Sequence, residues 1–195
     1  MFGTALSFIT KELNSYIVRR QRLPASSERV ILTNLVEMNG SVSIRGNNLL
    51  TSTLVNIEQE KVANYPNGQV FPRSPGGIKS SPPLTLNLFI LFGAYFEAKN
   101  LKDGLDQLTW IVQYLQAKSI WDRSNTPGLP EGMDRLVFDF ESLDFHAKSH
   151  MWGVIGAKQI PSVLYKTRMI LVTDPSILEI TSRIEEIDIN GGVLR

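Results

Sequence analysis

The chain has 195 residues, the length of one domain at roughly 150 residues each, and its 43% hydrophobic and 20% charged content suits a single packed core rather than disorder. Lys and Arg number 20 against 19 Asp and Glu, and a net charge of +1 is too small a field to hold nucleic acid or an anionic membrane. Cysteine is absent, which excludes disulfides, thiol catalysis, thiolate zinc centres and iron–sulfur clusters together.

Residues 1–10 carry no positive charge ahead of their apolar stretch, and Lys11 and Glu12 interrupt it, so no secretory signal is expected. The longest apolar run, 84–96, contains Asn87 and falls short of the roughly 20 residues of a spanning helix, so a soluble protein is expected. Phe2, Leu6, Ile9, Leu13 and Ile17 recur at helical spacing and predict an amphipathic helix over 4–20. Pro24 to Ser27 break that pattern, and Val30–Val36 comes next as a strand. Asn39-Gly40 suits a tight turn, with Val42–Ile44 returning as a short partner strand, and this reading is preferred to a glycosylation sequon at Asn39-Gly40-Ser41.

Thr53–Gln59 alternates as a half-buried strand. Residues 62–83 hold five Pro and three Gly and predict a mobile loop. Leu84–Phe96 places Leu88, Ile90 and Phe92 on one face and Phe89, Leu91 and Tyr95 on the other, as a central strand covered on both sides over part of its length. Asn100 is expected to cap a helix over 101–117 whose apolar face is Leu101, Leu105, Leu108, Val112 and Leu115. Thr126–Met133 is turn chemistry, and Leu136–Phe140 is a further strand. From Ser142 to about Ala157 a helix is weakened by Gly153 and Gly156, poor choices unless something packs closely on them. Packing within the chain, beside the last strand Val163–Val172, is preferred to a subunit interface. The sequence over 175–195 reads as an arm, helical or extended. The expected fold is α/β: a mixed sheet flanked by two main helices in a single domain, 1–174, followed by the C-terminal arm.

His146 and His150 are the two histidines, four apart, a spacing that puts both rings on one helical face. A metalloprotease would need Glu after the first of them, where Ala147 stands, and no spacing indicates a third ligand. Gly76-Gly77-Ile78-Lys79-Ser80 has an isoleucine where a phosphate-binding loop needs Gly before Lys. Trp110 and Trp121 read as core or core edge. No catalytic residue, cofactor or resident metal is therefore expected, and a metal-dependent enzyme built on His146 and His150 is the alternative.

One stretch carries more information than these single motifs. His150-Met151-Trp152-Gly153-Val154-Ile155-Gly156-Ala157-Lys158, followed by Pro161-Ser162-Val163-Leu164-Tyr165-Lys166-Thr167-Arg168-Met169, resembles the tube-terminator, or cap, proteins of phage-tail-like extracellular contractile injection systems of the antifeeding-prophage type. The likeness extends to Thr4–Ile9, Glu12-Leu13-Asn14, Leu54–Glu58, Pro82–Leu88 and Asn125–Leu129 in the same order. The resemblance implies a phage tail-terminator-like subunit without catalysis. Such a subunit forms a hexameric ring on the last layer of the inner tube and stops growth of tube and sheath. It implies inner tube and sheath proteins as partners, with neither nucleic acid nor membrane, and assembly in the bacterial cytoplasm before release outside the cell. The sequence ends at Arg195 where longer relatives continue, so an outermost cap, an adaptor ring beneath a larger cap paralogue, and a connector ring elsewhere in the particle are all open. His150, Trp152, Gly153 and Gly156 are the candidate interface or close-packing residues.

Overall fold

A computed structural model describes residues 1–60 and 84–171. The expected loop at 62–83 and arm at 175–195 lie outside the described residues. In chain order the elements are helix α1 (Phe2–Arg20), strands β1 (Val30–Leu32), β2 (Leu49–Gln59) and β3 (Leu84–Tyr95), helix α2 (Leu101–Ala117), strands β4 (Ile120–Asp122) and β5 (Met133–Glu141), helix α3 (Phe145–Ile155) and strand β6 (Ser162–Leu171). The sheet runs β1-β2-β3-β6-β5-β4, with β1 parallel to β2 and every other neighbour antiparallel, which makes it mixed as expected.

Two faces of β3 lead to two cores. Leu88, Ile90 and Phe92 point to one side, where Leu6, Ile9, Leu13 and Ile17 of α1 and Leu108, Ile111 and Leu115 of α2 bury against them. Leu91 points to the other side and meets Leu164, Leu35 and Trp152 of α3. The main core closes around Trp121, fully buried between Phe138 (ring centroids 4.7 Å apart), Phe8 and Tyr114, with its indole N–H donated to the Lys118 carbonyl at 2.9 Å. A buried indole needs such an acceptor, and this one ties α2 to β4.

The structure corrects several expectations. The strand at Val30–Val36 stops at Leu32, because Val30 faces the main core whereas Leu35 is buried in the opposite cluster, so the chain must leave the sheet to cross between them. Beyond Leu35 the chain makes a turn with a single Val36–Val42 bridge and Gly40 at φ 80°, rather than a second strand. In α2 the buried positions are Gly104, Gln107, Leu108, Ile111 and Leu115, while Leu101 and Leu105 are exposed. Gly104 sets that rotation: a Cβ there would lie 2.6 Å from the Phe96 ring, so the missing side chain lets the helix approach and turns its face. Asn100 makes no side-chain cap. A 3₁₀ turn over Ala98–Asn100 runs into α2, leaving Asn100 at φ −109°, ψ 9° rather than in the extended geometry a capping side chain uses.

The two sheet edges are finished differently. At β4 the Asn125 side chain accepts the Asp122 N–H and donates to the Ile120 carbonyl, and the Thr126 N–H binds the Asp122 carbonyl. At β1 the Asn14 side chain accepts the N–H groups of Arg29 and Val30 and donates to the Ser27 carbonyl. The outward Leu32 N–H and the Val30 and Leu32 carbonyls meet no partner among the described residues. Beside this edge lies an open groove of about 420 Å³ that includes Ser7, Thr10, Lys11 and Leu32 in its walls, and the buried Thr10 hydroxyl has no hydrogen-bond partner among the described residues.

Candidate assembly interface

The residues singled out from the sequence converge on α3. The Asp144 carboxylate accepts the Ala147 N–H at 2.7 Å and starts the helix, a stabilising contact at the positive end of the peptide dipoles. Gly156 ends it at φ 72°, where its N–H binds the Trp152 carbonyl at 3.0 Å. Left-handed backbone is open to glycine without the steric penalty other residues meet, so Gly156 is explained by the helix end and not by a close neighbour. Gly153 has no such duty. It is exposed, and among the described residues a Cβ built on it would have nothing within 4 Å, so the expected close packing within the chain is met at neither glycine there.

Among the described residues, only one side of α3 is covered. Trp152 is 6% exposed and lies with Met151 and Ile155 on the Leu91–Leu164 surface of the sheet. Its indole N–H is buried with no acceptor among the described residues. A small cavity of about 160 Å³ opens beside this contact, between the start of α3 and the ends of β5 and β6, with Phe140, Leu143, Lys148 and Met151 in its wall. The outward side carries Phe145, His146, Ser149, His150, Gly153 and Val154, all exposed, and not one of them is Asp, Glu, Lys or Arg. Phe145 is 91% exposed and Val154 87%. A solvent-facing helix side normally carries charge, so a charge-free one with exposed apolar side chains is a candidate contact surface.

His146 and His150 stand on that outward side with ring centroids 4.5 Å apart. Among the described residues no group of three or more His, Cys, Asp or Glu side chains comes together, so none of them adds a third ligand to the pair. Elsewhere, burial raises the Tyr165 and Tyr114 hydroxyls above their usual range, with Glu12 adding to the second. Arg168 binds Glu60 and lies 3.9 Å from Asp139, an ion-pair cluster on the sheet. No helix among the described residues is long and apolar enough to cross a membrane. Sequence reasoning found the histidines, Trp152 and the two glycines, but passed over Phe145 and Val154, whose exposure no pattern of apolar residues reveals.

The Pvc16 N-terminal domain family matches residues 6–186. The chain belongs to that family. Its fold is similar to that of a solved structure described as the PVC sheath/tube terminator of an extracellular contractile injection system in the extended state, with a TM-score of 0.51 and 11% identity. The similarity covers 94% of this chain and 63% of the other, so the chain spans less than two thirds of that terminator. No curated protein matches it. The α/β architecture and the family read from Leu143–Met169 are thus both borne out, the second by the family match across most of the chain.

Proposed function

We propose that this Pvc16 N-terminal domain is a structural subunit, not an enzyme, which forms a ring on the distal end of the inner tube of a contractile injection particle and ends growth of tube and sheath. The observation that carries the reading is the charge-free outward side of α3 in a chain whose family and fold are those of a sheath/tube terminator. A subunit of this kind acts through contact surfaces, and a heterologous contact repeated around a closed rotation gives a ring, six-fold in the relatives that the sequence resembles. Inner tube and sheath proteins are the partners. Assembly takes place in the bacterial cytoplasm, and the particle is then released outside the cell.

Deleting the gene from a particle-producing strain tests this directly. Tubes and sheaths of uncontrolled or unstable length are expected by electron microscopy. Particles of normal length that lack only an activity would refute the terminator role, and particles broken at another joint would assign the chain to a connector ring. The charge-free side of α3 is tested separately with Val154→Glu, which places a charge on exposed surface. The variant should fold as a monomer and fail to join particles, whereas normal incorporation would remove α3 from the interface.

A further inference from the structure

We propose that His146 and His150 form an exposed two-ligand chelate for a divalent transition-metal ion, with copper(II) held most tightly. The helix is continuous through both residues, from Phe145 to Ile155, so one turn of backbone fixes the pair on one side of α3. Both rings are exposed, their centroids are 4.5 Å apart and their planes meet at 68°. No hydrogen bond among the described residues holds either ring, so each is free to turn a nitrogen toward a shared ion. Asp144, the nearest carboxylate in sequence, is engaged at the helix start by the Ala147 N–H, and Lys148 lies on the cavity side of the helix.

The spacing is compatible with chelation. A metal–imidazole bond is about 2.0–2.1 Å, and the ring centroid lies about 1.1 Å further on, so each centroid would sit ~3.2 Å from the ion. Centroids 4.5 Å apart leave both rings within reach of one ion once each turns a nitrogen toward it. Copper(II) stands above nickel(II) and zinc(II) in the general order of divalent affinities, so it is the ion such a pair holds most tightly. Water fills the other positions. With no carboxylate or carbonyl orienting the rings from behind, the site is a labile chelate and not a resident centre. Ala147 stands where a metalloprotease helix carries its general base. The inference rests on the geometry of α3 alone, concerns the free chain in which that side is open, and does not depend on the terminator reading.

Titration of the full chain with copper(II) chloride and, separately, zinc chloride in a non-coordinating buffer tests it, monitored by calorimetry and by the imidazole resonances in NMR. One copper per chain is expected at this pair, with the resonances of both imidazoles broadening together. His146→Gln and His150→Gln should each weaken copper binding on the order of 100-fold, because either change turns a two-point attachment into a one-point one. Both positions are exposed, so the variants should keep the parent circular dichroism spectrum. Bound copper should also raise the melting temperature of the parent and leave that of each variant unmoved, since it clamps a helical turn only when both rings are present. Equal affinity in the parent and either single variant would overturn the proposal, as would copper binding that broadens neither imidazole.

Discussion

Replacing Gly153 by alanine should make the isolated chain more stable. The residue lies within α3, its backbone is helical, and a Cβ there has nothing within 4 Å, so no steric term opposes the substitution. What is left is helix propensity, which favours alanine over glycine by about 0.8–1.0 kcal/mol in a helix interior. For a chain of 195 residues that converts to a rise of roughly 2–4 °C in melting temperature, readily measured by circular dichroism. A lower melting temperature would refute the placement of Gly153 on an open surface. Gly153→Leu extends the argument to assembly. Leucine is also a good helix former, so the monomer should fold as well as the parent. On a contact surface the added bulk would stand where a neighbouring molecule must approach, and incorporation into particles should fall. A glycine that is unfavourable for the monomer and open to solvent is then explained by what docks on it.

Gly104→Ala should have the opposite effect to Gly153→Ala, because the new Cβ would lie 2.6 Å from the Phe96 ring. Overpacking of about 1–3 kcal/mol outweighs a propensity gain of about 1 kcal/mol, and thermal melting should move down. Trp121→Ala removes the ring at the centre of the main core and should lower stability by about 3–5 kcal/mol in denaturant unfolding. The Asp122 carboxyl is held below the ordinary carboxylate range by the Ser124 hydroxyl and then by the Asn125 amide. Because its folded value is the lower one, its support for the β4 turn is complete above the unfolded value and is lost as pH falls through the folded value, below about pH 4. The amide resonances of Ser124 and Asn125 should track that titration in the parent and lose it in Asp122→Asn.

Long elements with a regular apolar pattern could be read from the residues alone. The α1 stripe of Leu6, Ile9, Leu13 and Ile17 is buried as its spacing indicates, and β3 has the two covered faces that its alternation describes. Where tertiary contacts decide, the pattern misleads. The bounds of α2 agree with its periodicity, but its buried face is set by the space that Gly104 leaves for Phe96, and leucine counting cannot weigh an absent side chain. Strand β2 begins at Leu49 rather than Thr53, because Thr51, Ser52 and Thr53 are buried polar residues and the Thr53 hydroxyl donates to the Thr33 carbonyl at 2.8 Å. Strand β4 has three residues, too few to alternate visibly. The helix α3 is firmer than its glycines suggest because Asp144 caps it and Gly156 lies at its end, not inside it. Its outward side is a matter of which residues the sheet leaves uncovered, and only the assembled fold displays that.

The unequal sheet edges have a consequence for solubility. At β4 the protein's own turn occupies the outward Asp122 N–H and the Ile120 and Asp122 carbonyls, so a second molecule finds little ladder there to extend. An incoming strand can pair at β1, but a copy of this chain that docked there could not offer an equally open edge at its far side. Runaway strand-upon-strand growth, the route from exposed edges to fibrils, needs two open edges on every molecule. With one edge of the described sheet stoppered, strand addition through it ends after a single step.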